Sequence, residues 1–361
     1  TGVTTLAAGS GNDITLDVGT NNFSTVVITN GNNVALVDAN ALILGASTVS
    51  GTLGVTTASG VTVSANVTSA GATTIDADSD NNGSGDFTVA SSQTLSITNS
   101  ALSITANDMD LSGSLTSGSA ATTLLVSDGG TIVLGSAGGG GLNLTNAELQ
   151  SITASVLTIG DGTAGAITIS SDVTPGASSG SGVATVSLIT GGAITGTAGG
   201  IIETNLALTA SGTINVTDAN TDVDFLAISA AGQTVTFTDA DAIDIKTTAG
   251  VAGITATTLN LNTAGAITDT NALAVTGVAT IAAGSGNDIT LDVGTNNFGT
   301  VVITNGNNVA LVDANALILG ASTVSGTLGV TTSGAITDSG ALAVTGVTTL
   351  AAGSGNDITL D

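Results

Sequence analysis

Oxygen-bearing side chains alternate along one short segment of the sequence. They are Asp76, Asp78, Asp80, Asn82 and Asp86. Oxygen ligands at alternate positions of a tight turn suit Ca²⁺, which takes about six to eight of them. The segment departs from an EF-hand loop, because Asn81 stands where the turn glycine belongs and Phe87 where the bidentate glutamate belongs. The sequence therefore leaves two readings open, a calcium site and a solvated acidic loop.

A second motif, GSGND, occurs at 9–13, 284–288 and 353–357. It resembles the glycine-aspartate nonapeptide that binds Ca²⁺ between coils of a β-roll. That site needs consecutive nonapeptides, because half of its ligands come from the next coil. Here the motif occurs once per repeat of the sequence, so we expect a structural turn.

Two carboxylate pairs have the composition of a glycosidase site. They are Asp222 with Asp224, and Asp241 with Asp244. Glycoside cleavage also needs aromatic residues to hold the sugar, and Phe225 and Phe237 are expected to pack instead. Nucleophilic triads and imidazole metal sites are excluded, because the chain has no His or Cys. Lys246 is predicted to form a surface ion pair with Asp244. The residues therefore predict a protein that is not an enzyme.

The charge of the chain is one-sided, with one Lys, no Arg and a formal net charge of -26. Nucleic acid and anionic membranes are excluded as partners, because both require clustered cations. The acids are spread along the chain, and we expect solvated turn residues that keep a β surface soluble. No apolar run is long enough to insert into a membrane.

The dominant feature of the sequence is a tandem repeat. Residues 1–57 return at 276–332 with three differences, and residues 1–17 return identically at 345–361. Equivalent points of the second and third copies lie 69 residues apart, which predicts three coils of about 23 residues per unit. The clearest units are 1–69, 276–344 and 345–361, and the divergent stretch 70–275 is predicted to have the same plan.

These observations predict an all-β fold, a single right-handed parallel β-helix of about 16 coils that continues over residues 1–361. Small aliphatic and β-branched side chains fill such a narrow core. Inward rows are expected from Ile14, Leu16, Val34 and Leu36 and from their copies Ile289, Leu291, Val309 and Leu311. Loops are expected around Pro175 and at GSAGGGG, 135–141.

Three strings carry a resemblance to a known family. They are GNNVALVDANALILGASTVSGTLGVTT, GAITDSGALAVTGVTTLAAGSGNDITL and GLNLTNAELQSITASVLTIGD. They resemble the repeat regions of filamentous-haemagglutinin-type bacterial surface proteins, and the resemblance covers nearly the whole chain. It implies a right-handed parallel β-helix, export across an outer membrane, and an adhesive or structural role in an extracellular fibre. No binding residues of that family are carried over.

The sequence supports three functional hypotheses. The first is a non-catalytic fibre segment at the bacterial cell surface, with a host-surface or glycan receptor as partner. Because the two ends of the sequence are identical, we expect the fibre to be either a longer covalent chain or an assembly formed by self-association. The second is a binding surface built from threonine ladders, as in ice-binding solenoids, suggested by TVTFT at 234–238. The third is a carbohydrate-binding β-helix.

Overall fold

The computed structural model describes residues 2–175 and 182–361. The chain divides into two compact units, Thr1–Gly191 and Gly192–Asp361. Each unit is built from short parallel strands stacked as a β-solenoid, and together the units contain about 18 turns. The prediction of an all-β parallel β-helix is thus confirmed. Its right-handedness and its continuity over residues 1–361 stay predictions.

The described residues of the first unit contain 22 strands. They are β1 (Val3–Ala7), β2 (Ile14–Leu16), β3 (Thr25–Asn30), β4 (Val34–Asp38), β5 (Leu42–Leu44), β6 (Ser47–Val49), β7 (Leu53–Thr57), β8 (Val61–Val63), β9 (Val67–Ser69), β10 (Thr73–Asp76), β11 (Phe87–Val89), β12 (Thr94–Ile97), β13 (Leu102–Ala106), β14 (Met109–Leu111), β15 (Ser114–Thr116), β16 (Thr122–Val126), β17 (Ile132–Gly135), β18 (Leu142–Thr145), β19 (Ile152–Thr153), β20 (Leu157–Ile159), β21 (Ile167–Ile169) and β22 (Val186–Thr190). A 3₁₀ turn (Ser127–Gly129) and a one-turn helix, α1 (Asn146–Leu149), accompany them.

The second unit contains 20 strands. They are β23 (Ile194–Gly196), β24 (Ile202–Ala210), β25 (Ile214–Val216), β26 (Asp222–Ser229), β27 (Thr234–Asp239), β28 (Ile243–Ile245), β29 (Ile254–Ala256), β30 (Thr258–Thr263), β31 (Ile267–Asp269), β32 (Leu273–Ala282), β33 (Ile289–Leu291), β34 (Asn297–Asn305), β35 (Val309–Asp313), β36 (Leu317–Leu319), β37 (Ser322–Val324), β38 (Leu328–Thr332), β39 (Ile336–Asp338), β40 (Leu342–Val344), β41 (Thr348–Ala351) and β42 (Ile358–Thr359).

Nineteen strands of the first unit form three rows, each a parallel sheet that passes from turn to turn. The other three pair among themselves, β17 with β18 and with β21. Row 1 contains β1, β3, β5, β8, β11 and β14. Row 2 contains β2, β4, β7, β10, β13, β16, β20 and β22. Row 3 contains β6, β9, β12, β15 and β19. Consecutive strands β4, β5 and β6 belong to different rows, so a turn at this level has three sides.

The second unit has two long rows of parallel strands. Row 4 contains β25, β27, β30, β32, β34, β36, β39 and β42. Row 5 contains β28, β31, β33, β35, β38 and β41. Strands β37 and β40 pair on a further side.

The core is made of aligned inward side chains, because successive residues of a strand point to opposite faces. Seven of the eight expected inward residues are buried, and Leu16 is partly exposed. Three of the five phenylalanines, Phe87, Phe237 and Phe298, are fully buried among the smaller aliphatic side chains.

The first two copies of the repeat have the same pairing. Val3 to Leu6 pair with Thr25 to Ile28, and Val278 to Ile281 pair with Thr300 to Ile303. An irregularity occurs at the same place in both copies, after Leu6 and after Ile281. Because three substitutions leave the register unchanged, the repeat sequence specifies its own stacking.

The coil is shorter than the sequence analysis predicts. Ile289 pairs with Val309, Val309 with Leu328, and Leu328 with Thr348, so three turns cover only 59 residues. A 69-residue repeat therefore corresponds to about three and a half turns, not three. Residues that bulge out in loops lengthen other turns, as between Val63 and Leu111 through Val89.

This mismatch moves the third copy onto different sheets. Strand β33 lies in row 5 between β31 and β35, whereas its identical copy β42 pairs with β39 in row 4. Strand β41 likewise lies in row 5, although its second-copy equivalent within β32 lies in row 4. The same residues thus fit two sides of a coil.

Of the two predicted loops, one lies within the described residues and the other lies largely outside them. GSAGGGG lies at the connection between β17 and β18, which pair directly with each other. The loop expected around Pro175 falls largely on residues 176–181, outside the described residues.

Candidate functional site

The predicted calcium segment forms the connection between β10 and β11, and its centre is the buried Asp78. One Asp78 carboxylate oxygen, Oδ2, accepts hydrogen bonds from Ser127 Oγ at 2.6 Å and from Gly83 N at 3.1 Å. Ser127 comes immediately after β16, so this carboxylate ties the loop to a later coil. Asp78 therefore has a structural role whether or not a cation binds.

The other four predicted ligands make hydrogen bonds within the loop or to the next coil. Asp76 Oδ1 accepts a hydrogen bond from Asp78 N, and Asp80 Oδ2 accepts one from Asn82 Nδ2 at 2.7 Å. Asp86 Oδ1 accepts one from the Asn107 side chain of the next coil at 3.1 Å. Burial raises the pKa of Asp76, and the neighbouring Asp78 carboxylate adds to the rise.

The described residues contain no group of three or more His, Cys, Asp or Glu side chains arranged to hold a metal ion. A calcium site in this loop would combine its carboxylates with the Asn82 amide and backbone oxygens. Calcium binding by Asp76, Asp78, Asp80, Asn82 and Asp86 stays a prediction.

The GSGND motifs form corners that bind the following coil. Asp13 Oδ1 accepts hydrogen bonds from Asn32 Nδ2 at 3.0 Å and from Asn33 N at 3.1 Å. Asn33 Oδ1 in turn accepts hydrogen bonds from Thr52 N and Thr52 Oγ1. The backbone hydrogen bond from Asn33 and the side-chain bond from Asn32 lower the pKa of Asp13. A polar ladder thus crosses three coils.

The second copy repeats this ladder. Asp288 Oδ1 accepts hydrogen bonds from Asn307 Nδ2 at 2.9 Å and from Asn308 N at 3.0 Å, and the pKa of Asp288 is lowered in the same way. Asn308 Oδ1 accepts from Thr327 N and Oγ1. At both Asp13 and Asp288 the GSGND motif therefore forms a structural turn, as the sequence analysis predicts.

Four aspartates at strand ends are buried, which corrects the expectation that the acids are solvated turn residues. They are Asp38, Asp239, Asp269 and Asp313. Asp313 Oδ1 accepts a hydrogen bond from Phe298 N, 15 residues earlier, at 2.7 Å, and Asp38 does the same for Phe23 N. These carboxylates satisfy backbone N–H groups at coil corners, and such groups are costly to bury unpaired.

Burial raises the pKa of three of these carboxyls. The pKa of Asp239 rises to about 6, because burial outweighs its backbone hydrogen bonds from Val223 and Asp241. The negative charges of Asp241 and Asp222 add to the rise. Burial also raises the pKa values of Asp269 and Asp313, against the hydrogen bonds that they accept.

One carboxylate of each predicted pair, Asp222 and Asp241, lies close enough to the buried Asp239 to raise its pKa. Burial, followed by the charges of Asp241 and Asp224, raises the pKa of Asp222. Lys246 Nζ lies over the Phe225 ring, 2.9 Å from its centroid, so the contact of this cation is with an aromatic face. Phe237 is fully buried, as expected of a packing residue.

One outward column consists entirely of hydroxyl residues. Along row 3 the register aligns Thr48, Thr68, Ser96, Thr116 and Thr153 on five neighbouring strands. Thr68 Oγ1 lies 3.5 Å from Thr48 Oγ1. These five strands carry no charged residue.

The threonine string of the sequence analysis, TVTFT, has a different setting. Thr236 pairs with Asn260 and Thr238 with Asn262, so asparagine interrupts both columns. Identifying the hydroxyl column of row 3 from sequence would have required the coil lengths, because its five members are separated by 20, 28, 20 and 37 residues.

A cleft of about 620 Å³ lies beside β14, β18 and α1. Its carboxylates are engaged with the backbone: Asp108 Oδ1 accepts from Asn143 N at 2.8 Å, and Glu148 Oε1 accepts from Leu111 N at 3.1 Å. Glu148 also forms the capping box of α1 with Thr145. The acidic lining therefore joins this short helix to the neighbouring coil.

In the described part of the chain, no helix is long and apolar enough to cross a membrane.

Comparison with known proteins gives one family. The family model described as "Repeats of unknown function" (DUF5649) matches residues 31–94, 232–305 and 306–361, more than half of the chain. Curated proteins and solved structures give no match. The matched segments include the VALVD strands with their buried aspartates and the Asn32–Asn33 and Asn307–Asn308 ladders.

Proposed function

Because the chain belongs to the DUF5649 family of repeats and is built as a parallel β-solenoid, we propose that it is a non-catalytic structural segment of a long repetitive bacterial surface protein. Its place is extracellular, in an adhesive fibre of the filamentous-haemagglutinin type. The resemblance of the repeat strings supports the surface role. Neither nucleic acid nor a membrane is among the proposed partners.

The observation that carries this proposal is that polar side chains form hydrogen bonds between successive coils. Asp13 and Asn33 bridge successive coils, and Asp288 and Asn308 repeat the same contacts. Hydrogen bonds that cross coils resist separation of the coils, which is the mechanical requirement of a fibre. The ladders use their carboxylates and amides for cohesion, and this favours a structural role over catalysis.

Localisation and mechanics test the proposal together. Antibodies raised against the chain should label fibres on intact cells of the source organism, with permeabilised cells as the control. In single-molecule extension, replacing both ladder residues, Asn33→Ala with Asn308→Ala, should lower the unfolding force. Label confined to the cell interior, or a force unchanged by the double substitution, contradicts the proposal.

The hydroxyl column of row 3 favours a second function, a surface that orders water as ice-binding solenoids do. Neighbouring strands of a sheet lie about 4.8 Å apart, so the column presents a regular array of hydroxyl groups without charge. A parallel polar column lies beside it, two residues before four of the members of the hydroxyl column. It consists of Asn66, Thr94, Ser114 and Ser151.

Thermal hysteresis and ice-crystal shaping test this second function. The intact chain should shape ice, and Thr68→Lys with Thr116→Lys should abolish the effect. Thr62→Lys with Thr88→Lys, on the outer face of row 1, is the matched control. Absence of ice shaping by the intact chain rejects the second function and leaves the fibre proposal unaffected.

A further inference from the structure

The Asn82–Gly83 peptide lies in a hydrogen-bonded setting that differs from the other two Asn–Gly peptides of the chain. Asn82 is exposed, in the connection between β10 and β11. Its side-chain Oδ1 accepts a hydrogen bond from Ser84 Oγ, and its Nδ2 donates to Asp80 Oδ2. Gly83 N donates to Asp78 Oδ2 at 3.1 Å.

These contacts match the needs of one intramolecular reaction. The backbone nitrogen of the residue after an asparagine can attack the side-chain Cγ and close a succinimide ring. A base at the attacking N–H and a donor at the carbonyl oxygen both lower the barrier. Asp78 Oδ2 occupies the first position, and Ser84 Oγ occupies the second.

We propose that Asn82 is a self-modification site, at which Asp78 and Ser84 promote deamidation of the Asn82 side chain. Asp78 accepts the Gly83 N–H proton while the Gly83 N–Asn82 Cγ bond forms. The Asn82 Cγ–Nδ2 bond then breaks, and Nδ2 takes up a proton and leaves as ammonia. Water opens the ring at either carbonyl carbon, so one water is consumed, one ammonia is released, and residue 82 becomes aspartate or isoaspartate.

The local backbone permits the required movement. Gly83 has φ +74°, and the N–H groups of Asn82 and Gly83 both donate to the Asp78 side chain rather than to the backbone of a neighbouring coil. Glycine also leaves the attacking nitrogen without a neighbouring Cβ. The nucleophile, Gly83 N, and the carbonyl carbon, Asn82 Cγ, belong to adjacent residues, so the reaction needs no encounter between separate molecules.

The two other Asn–Gly peptides are held in the solenoid wall and act as internal controls. Asn30 ends β3, and its carbonyl accepts a hydrogen bond from Ala8 N at 2.8 Å. Asn305 ends β34 and accepts from Ala283 N at 2.9 Å. The glycine after Asn30 is packed so closely that an added Cβ would lie 2.8 Å from Ile14 Cδ1. Ring closure at Asn30 or Asn305 would have to break these backbone hydrogen bonds between strands.

The experiment is incubation of the full chain at pH 6, 7 and 8, followed by digestion with an aspartate-specific protease and peptide mass spectrometry. Asn82 should deamidate at least about tenfold faster than Asn30 and Asn305, since general base catalysis contributes about 10²-fold or more.

Two variants separate promotion by these side chains from simple exposure of the loop. Asp78→Asn and Ser84→Ala should each slow Asn82 deamidation several-fold. Ser84 is exposed, so its substitution keeps the test informative even if Asp78→Asn unfolds the loop. A rate at Asn82 no higher than at Asn30, or variants that deamidate as fast as the parent chain, overturns the proposal.

Discussion

At the scale of single residues, an inward hydroxyl at Thr73 is a local weakness of the core. Thr73 is fully buried in row 2, where its register partners are Leu53 and Leu102. Its Oγ1 has no hydrogen-bond partner in the structure. A buried polar group without a partner costs about 1–3 kcal/mol.

We therefore expect Thr73→Val to stabilise the first unit by about 1 kcal/mol, because valine has a similar shape and no hydroxyl. Denaturant unfolding of both proteins measures the difference. The control is Thr74→Val on the outer face of the same strand, expected within about 0.5 kcal/mol of the parent. A loss of stability in Thr73→Val would show that the hydroxyl is satisfied in solution.

The buried Asp239 predicts that acid stabilises the second unit. Its pKa is about 6 in the folded chain against 3.8 for a free carboxyl, so the folded state binds more protons between these values. Its contribution is fully present below pH 3.8 and is lost as the pH rises through about 6. Raised pKa values at Asp269 and Asp313 act in the same direction, and the lowered value at Asp288 opposes them.

Thermal unfolding between pH 4 and pH 7.5 tests this prediction. The parent chain should melt at a lower temperature as the pH rises through 6, and Asp239→Asn should flatten that part of the curve. Asp224→Asn, an exposed carboxylate nearby, is the control and should keep the slope. A parent chain that becomes more stable from pH 4 to pH 7.5 contradicts the assignment.

At the scale of elements, alternation of apolar and polar residues was enough to predict the strands and most inward side chains. Val34 and Leu36 are examples, since both belong to a period-two pattern and both are buried. The same pattern continues to Asp38, which is buried in phase with them. Charge led to the opposite expectation for this residue, although its position in the alternation indicated burial.

The coil length could not be read from the repeat, for a physical reason. Strand stacking requires only that similar residues align from turn to turn, and the repeat has such residues at several phases. Ile358 and Thr359 therefore stack in row 4, although their identical copies Ile289 and Thr290 stack in row 5. The contacts of the candidate calcium site could not be predicted from sequence for a similar reason. Asp78 accepts a hydrogen bond from Ser127, which lies 49 positions later in the chain, and only the stacking of the coils brings the two residues together.

The polar ladders give a prediction with a built-in replicate. Asn33→Ala removes the acceptor for Thr52 N and Oγ1 and a donor to Asp13. The expected cost is about 1–2 kcal/mol, since each net hydrogen bond contributes about 1 kcal/mol. Asn308→Ala should cost its own unit the same within about 0.5 kcal/mol, because its contacts are duplicated. Unequal effects in denaturant unfolding would mean that the copies differ in stability despite equal contacts.

At the scale of the whole molecule, calcium is the first condition to vary. If the Asp76–Asp86 loop binds Ca²⁺, millimolar Ca²⁺ should raise the melting temperature, because a ligand that binds the folded state stabilises it by mass action. Asp80→Ala should remove the gain, and Asp110→Ala, an exposed carboxylate of β14, should keep it. Asp80 is preferred to Asp78 here, since the loss of Asp78 destabilises the loop without any cation. An equal gain in both variants would indicate general screening of charge.

The last prediction concerns association between chains and rests on net charge. With a formal net charge of -26 and one cation, copies repel one another at neutral pH. Salt should screen this repulsion at distances beyond the Debye length, which is about 10 Å at 0.1 M. Proton uptake removes the charge as the pH falls toward the isoelectric point of about 4.1.

Light scattering should therefore show separate chains at pH 7.5 and low salt, and growing assemblies on addition of salt or on acidification to pH 4.5. Electron microscopy distinguishes ordered filaments from amorphous aggregates, and a fibre protein should give filaments. The folded state should survive this acidification, because the buried aspartates gain stability over the same range. Assembly that is fastest at pH 7.5 and insensitive to salt would show that specific contacts, rather than the relief of charge, govern how these chains meet.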